Sequence, residues 1–515
     1  MSKDLPVNYE PVKDTWRCTL PSDPTATPLL SALTKATQRE HAAFYAPGHK
    51  QGKGVSESLA ALLGNSVFRA DLPELPELDN LFAPEGPIQQ AQQLAAETFG
   101  AEETFFLANG STCGIEAAVL ATCSPGDKVL VPRNAHRSVL AALILSGARP
   151  VYLAPTYDIE WDLAYGTMPE QVDSALVEHP DIRVVVVVSP SYQGVCADVA
   201  AIAPLVHQRS RILIVDEAHG PHLSFHDQLP MGAIAGGADL VIQSTHKVLA
   251  ALTQASMLHV QGPRVDRDRL RQALQLTQST SPNYLLLASL DATRQQMALE
   301  GRRLMDQTLA IAQQVRSQLT ALAPLQTLTP ANVSTLSSCF QLDPTRLTVD
   351  VSALGMTGFA ADELLHNHLG VTAELPTLRQ LTFILSLGNT AADGDRLVAA
   401  LKTLSKKVAS DAQPPTAIAI PEPLHYPALT EPPLSPRDAF FAPSQTVAIA
   451  QAAGHLSADT LCPYPPGIPV LLPGEVITPE AITYLQHIQV AGGIITGNPD
   501  SGLQSLRIVA THSNT

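Results

Sequence analysis

Residues 238–251 read ADLVIQSTHKVLAA. A short apolar run ends in Ser244, Thr245, His246 and Lys247 and then returns at once to apolar residues. That is the pattern of a buried strand that leaves its sheet through a polar turn. A lysine is costly to desolvate, so Lys247 is at the surface, paired with an anion or chemically changed. The neighbouring sequence has to decide which.

The same unit recurs on both sides of this stretch. TFFLA, KVLVP, PVYLA, VVVVVS and ILIVD are further short runs without polar alternation, and PIQQAQQLAAETFG, TCGIEAAVLATC, HRSVLAALILSG and VAAIAPLVHQRS between them read as helices. Runs that are apolar at every position suit strands covered on both faces, as in a parallel sheet. The chain from about residue 90 to 260 is therefore expected to be a layered α/β domain, with ligands beyond the carboxyl ends of the strands.

Composition narrows the function class. The chain has 515 residues, enough for two or three domains, with 45% hydrophobic and 16% charged residues. Its net charge of −16 disfavours a nucleic-acid partner and suits a small cationic substrate. Six cysteines lie scattered without a CxxC pair, which points to a reducing cytoplasm rather than a disulfide framework or a zinc knuckle. No apolar run approaches the roughly 18 residues a membrane span needs, and MSKDLPVNYEPVKD lacks a signal-peptide core.

Four strand ends carry one chemical picture. After TFFLA, Asn109 and Gly110 make a tight turn, and Ser111 and Thr112 open a helix whose N-terminus favours a phosphate; the same residues are also ordinary caps. After ILIV comes Asp216, which can cap a loop or face a protonated ring nitrogen. After KVLVP, His136 can lie against a flat ligand. Lys247 follows DLVIQ. A phosphate cradle, an acid for a ring nitrogen, an aromatic lid and a partly buried lysine are what pyridoxal 5′-phosphate requires.

These stretches resemble the Orn/Lys/Arg decarboxylase family of fold-type-I enzymes, in its short form without the N-terminal wing domain. The resemblance rests on APGHKQG, LDNLFAPEGPI, FFLANGSTCGIEAAVLA, VPRNAHRSV, VDEAHG, QSTHKVLAALTQASMLHV, QSTSPNYLLLASLDA and PYPPGIPVLLPGE. It implies a fold-type-I large domain with a mostly parallel seven-stranded sheet and smaller α+β C-terminal domains. It also implies pyridoxal 5′-phosphate as cofactor and decarboxylation of a basic amino acid, with arginine the first choice, then lysine and ornithine. Lys247 resembles the lysine that carries the cofactor and Asp216 the partner of the pyridine nitrogen. His136 resembles the ring-stacking histidine, and Gly110, Ser111, Thr112, Ser244 and His246 the phosphate-binding set. Lys247 or His246 is the expected proton source at Cα. His219 stands where some members carry tryptophan and is given a supporting part. The STSP loop, with Ser279 and Thr280, is expected to approach the other subunit's cofactor, which implies a homodimer with shared sites. For the distal cation of the substrate, the candidates are Asp79, Glu85 and Glu475, with Glu74 and Glu77 beside them.

The expected organisation is an N-terminal arm over 1–90, too rich in Pro and Gly for a regular core, and a cofactor-binding domain over 91–300. A small α+β domain follows over 301–410, then a Pro-rich linker over 411–440 and a C-terminal subdomain over 441–515. Two other readings share part of this pattern. A fold-type-I aminotransferase or aldolase-type lyase would keep Lys247 and Asp216 and use a small-domain arginine, Arg346 or Arg379, for the substrate carboxylate. A catalytically silent paralogue would lack the chemistry. GHKQGKG has the wrong spacing for a phosphate-binding P-loop, and His219, His222 and His226 lack the ligand pattern of a zinc site, so no metal is expected.

Overall fold

The computed structural model describes residues 23–410, 431–464 and 468–510. Cys18, most of the Pro-rich linker and residues 465–467 of PYPPGIP lie outside the described residues.

The apolar runs form one seven-stranded sheet. Its strands are β1 (Glu103–Leu107), β2 (Lys128–Pro132), β3 (Arg149–Leu153), β4 (Ile182–Val188), β5 (Ile212–Asp216), β6 (Leu240–Gln243) and β7 (Ser256–Val260), in the order β1-β7-β6-β5-β4-β2-β3. Only β7 runs antiparallel to its neighbours. This is the α/β large domain expected from the sequence. β7 is not among the six apolar runs because Ser256 and His259 interrupt it, although both are fully enclosed at 0% and 1% exposure.

Successive strand residues feed two separate cores, which explains runs without polar alternation. Leu107, Val131, Val186, Ile214 and Ile242 pack with helices Gly110–Thr122 and Arg137–Ser146 on one face. Phe106, Leu130, Val187, Val215 and Val241 pack with helix Pro87–Phe99 and the start of helix Tyr284–Thr320 on the other. Each fully buried Val, Leu or Ile on these strands contributes about 1.5–3 kcal/mol.

Helix Tyr284–Thr320 runs unbroken through residue 300, so the large and small domains share it. The small domain is a four-stranded antiparallel sheet around Arg346–Asp350 and Gln380–Ile384 with its own core. It is joined to the large domain by a two-stranded pairing of Gln341–Leu342 with Val195–Cys196. Part of the expected arm is a regular element after all. Helix Pro28–Thr37 places Leu29, Leu33 and Ala36 in the main core, at the i, i+4, i+7 spacing of an amphipathic helix. Asp291 Oδ2 accepts hydrogen bonds from the backbone N–H groups of Leu29 (3.0 Å) and Leu30 (3.2 Å).

The C-terminal unit pairs Ser444–Ala448 with Ser505–Val509 and packs helix Pro479–Val490 over a fourth core. One of its residues, Leu472, belongs instead to the core of the large domain. Among the described residues, no helix is long and apolar enough to cross a membrane.

Candidate active site

Because β4, β5 and β6 lie side by side, with Val188 opposite Asp216 and Asp216 opposite Ile242, their ends discharge polar residues into one cleft. β6 stops at Gln243, Ser244 caps a single helical turn over Thr245–Val248, and that turn carries Lys247. Ser111, His136, Asp216, His219 and Lys247 line the same cleft, joined by Asn134, Tyr192 and Ile468.

Lys247 Nζ lies 3.0 Å from His219 Nε2 and 5.6 Å from the centre of the Tyr192 ring. Burial lowers the Lys247 pKa below the ordinary lysine value, while the charges of Asp216 and Glu374 oppose that shift. Burial raises the Asp216 pKa, opposed by Lys247 and by the Ala218 N–H donated to Asp216 Oδ1 at 3.2 Å. Burial therefore pushes both groups of the pair toward neutrality, and their mutual attraction holds them back.

His136 is the cap of helix Arg137–Ser146. Its Nδ1 accepts the Ser138 backbone N–H at 3.2 Å, which puts the ring proton on Nε2. Burial, then the charge of Lys247, depresses its pKa to about 4, so the imidazole is neutral across the physiological range. His219 is also held neutral, by burial and by the Lys247 and Arg346 charges. Its Nδ1 is buried without a partner, as is Asn134 Oδ1. Ser244 Oγ donates to Ser111 Oγ at 2.7 Å, joining the β6 turn to the first turn of helix Gly110–Thr122. The His246 ring contacts the Ala255 carbonyl through Nδ1 at 3.0 Å.

Other sequence candidates stand elsewhere. Thr112, Ser279 and Thr280 are exposed and outside the cleft lining. Asp79 accepts hydrogen bonds from the backbone N–H groups of Glu85, Gly86 and Ile88 at 3.0, 2.7 and 3.1 Å, as a carboxylate does at the start of a helix. Glu475 is bound to Arg133 at 2.7 Å. Both carboxylates are thus engaged within the protein. Glu85 is exposed and lies against a different groove. Of the three histidines after Asp216, His222 pairs with Asp343 (2.9 Å) and His226 with Asp306 (2.8 Å). No group of metal-binding side chains occurs among the described residues. Arg346 is fully buried and donates to the His219 carbonyl at 2.9 Å, while Arg379 pairs with Asp350 at 2.8 Å. Neither arginine lines the cleft.

Sequence reasoning missed Tyr192, Asn134, Ile468 and Glu374. Tyr192 follows β4 in SPSY and could have been found by the same strand-end rule that found Asp216. Ile468 and Glu374 come from distant chain segments and carry no local signal.

Directly after Asp216, Glu217 is 1% exposed and takes hydrogen bonds from the Ala233 N–H (2.6 Å) and Gln243 Nε2 (2.7 Å). The chain of contacts continues from Gln243 Oε1 to His259 Nε2 at 3.1 Å and from His259 Nδ1 to Thr104 Oγ1 at 2.8 Å. Burial raises the Glu217 pKa to about 7. A raised folded-state pKa contributes stability that is present below the unfolded value and lost as pH rises through the folded one. Against Glu217→Gln, which cannot ionise, the natural protein should therefore lose about 3 kcal/mol of relative stability between pH 4.5 and 8. Denaturant midpoints of both proteins at the two ends of that range test this. An identical difference at both ends would refute it.

Comparison with known proteins agrees with this geometry. Residues 27–393 match the family model described as Orn/Lys/Arg decarboxylase, major domain, and residues 424–499 match its C-terminal domain. An arginine decarboxylase of Bacillus subtilis is 38% identical over 485 residues, covering 94% of this chain and 98% of the relative. Lysine decarboxylase LdcA of Pseudomonas aeruginosa is 27% identical over 569 residues, covering 90% of this chain and 76% of that protein. The crystal structure of the Francisella novicida lysine decarboxylase LdcF superposes with a TM-score of 0.78 at 24% identity, covering 94% of this chain and 81% of that one. At that identity the likeness speaks for the fold.

Proposed function

The chain belongs to the Orn/Lys/Arg decarboxylase family, and from that premise we propose that it converts a basic L-amino acid to the corresponding amine and CO2. Arginine, giving agmatine, is the first choice; lysine and ornithine, giving cadaverine and putrescine, follow. The observation that carries this reading is the meeting of Lys247 and Asp216 in one buried cleft at the ends of adjacent strands.

The residues present fit pyridoxal 5′-phosphate. Asp216 is a buried acid with a single backbone donor, and His219 Nδ1 and Asn134 Oδ1 are polar atoms without protein partners in the cleft. Two hydroxyls, Ser111 and Ser244, meet at a helix N-terminus. Lys247 would hold the cofactor through its ε-nitrogen, Asp216 would face the pyridine nitrogen and His136 would lie on the ring. Gly110, Ser111, Ser244 and His246 would serve the phosphate. When bound, the cofactor supplies an electron sink for the pair released as the bond from Cα to the carboxylate breaks.

The protein's own part is orientation and proton handling. Lys247, with its pKa lowered by burial, loses its proton more readily than an exposed lysine and is the more reactive nucleophile for it. A neutral His136 adds no cation beside the ring. After CO2 leaves, Lys247 or His246 returns a proton to Cα. Glu374, exposed and acting electrostatically on Lys247, is the proposed carboxylate for the distal guanidinium or ammonium, and Glu85, which lies against another groove of its own chain, would serve it across a dimer.

The working unit is proposed to be a homodimer. Helix Glu57–Leu63 buries none of its residues although Leu59, Leu62 and Leu63 are 43%, 78% and 46% exposed, an arrangement a second copy would cover. Ser279 and Thr280 are exposed, as residues offered to a partner's site would be. The five described cysteines are free thiols, which suits a reducing cytoplasm.

Incubation with L-arginine, L-lysine and L-ornithine, with identification of the released product, tests the activity. Agmatine and CO2 from arginine are expected. A 2-oxo acid in place of an amine would overturn the reading in favour of transamination.

A further inference from the structure

Arg133 directly follows Pro132, the last residue of β2, and lies three before His136, yet its side chain reaches into another part of the chain. Its guanidinium donates from Nη1 to the Pro469 carbonyl (2.8 Å) and from Nη2 to the Val470 carbonyl (3.0 Å) and to Glu475 Oε2 (2.7 Å). Glu475 Oε2 also accepts the Leu472 N–H at 3.0 Å, and the guanidinium carbon lies 5.5 Å from the centre of the Tyr152 ring. The two charged side chains are 3% and 13% exposed.

A buried ion pair is a poor source of net stability, because desolvation offsets the attraction; its distinctive contribution is a fixed geometry. Here that geometry governs a short loop of the C-terminal unit. On one side of the clamped carbonyls, Leu472 is inserted into the core of the large domain, and Pro469 and Leu472 border the same small space as His136. On the other side, Ile468 is a wall of the cleft that holds Ser111, His136, Asp216 and Lys247. All of this contact lies at the cleft's edge rather than at a remote docking face.

We propose that Arg133 and Glu475 are positioning residues that seat the C-terminal domain on the catalytic cleft, acting on the reaction through the placement of Ile468. The proposal rests on the decarboxylase reading of that cleft and adds a domain to its active centre. Glu475 does not meet the substrate; it fixes the side chain that bounds the space in which the substrate and cofactor are held.

The test is a mutant cycle on the cofactor-loaded protein. Ile468→Ala and the paired variant Arg133→Gln/Glu475→Gln, which leaves no unmatched buried ion, are measured singly and combined. The readouts are kcat, KM and the rate at which the visible absorbance of bound cofactor is lost on dialysis. Each is expected to raise KM or the loss rate by about tenfold, and the combination is expected to be no worse than the more impaired of the two. A paired variant within about twofold of the natural protein in all three readouts, or a combination showing the full product of both losses, overturns the proposal. Should the paired variant not fold, Glu475→Gln alone decides, because it keeps Arg133's carbonyl bonds. A rise of about threefold in KM or loss rate supports the role, and no change overturns it. If the natural protein neither retains a chromophore nor releases an amine, the decarboxylase reading itself fails, and this result is separate from any outcome of the cycle.

Discussion

Lys247→Ala abolishes turnover of the best substrate, with kcat falling by at least about 10⁴-fold. No other described amine lines the cleft, and the Lys247 pKa is lowered by burial, the condition a nucleophilic lysine needs. The replacement removes the group proposed to carry the cofactor and one of two proposed proton donors in a single change. It should do so without unfolding the protein. Lys247 donates to His219 Nε2 and is otherwise held by the electrostatic field of Asp216, so its loss relieves a desolvated amine and leaves the two cores intact. Steady-state kinetics with a thermal unfolding control measure this. Borohydride reduction of the loaded natural protein followed by peptide mapping should place the label on Lys247. Full turnover by the alanine variant, or a label on a different peptide, would sink the assignment.

Asp216→Asn follows with a loss of about 10²–10³-fold in kcat. The change keeps the shape of a side chain that is 6% exposed and retains an oxygen for the Ala218 N–H, so the strand end should survive. It removes the one negative charge proposed to face the pyridine nitrogen, and with it the fixed electrostatic stabilisation of the electron sink. The effect should appear in kcat more than in KM, because the interaction grows as charge moves into the ring. A shift in the absorbance of the bound cofactor should accompany it. An asparagine variant with natural kcat would mean that Asp216 merely closes a loop.

The fold was legible because burial on two sides leaves a plain mark: Val184 to Val187 are buried with no solvent face, and no helix or half-exposed strand needs the five consecutive valines that run to Val188. The strand-end rule then led to Lys247, Asp216, His136 and Ser111 without any long-range information. β7 escaped because its polar residues are satisfied across the sheet, His259 by Thr104 and Gln243, and such pairing is invisible along the chain. The acids were harder still. Asp79 and Glu475 sit in Pro- and Gly-rich loops just as a ligand-binding carboxylate would, but one serves backbone N–H groups within ten residues and the other an arginine 342 positions away. Residue type and neighbourhood are the same for all these purposes; only three-dimensional proximity separates them.

The pairing of Gln341–Leu342 with Val195–Cys196 is reinforced by Asp343, which is fully enclosed, bound to His222 at 2.9 Å and 3.8 Å from Arg346. Swinging the smaller lobe away would tear that ladder and wet the buried Asp343 and Arg346 together. The two lobes are therefore expected to keep one relative position through the reaction, and scattering profiles with and without bound substrate should superimpose.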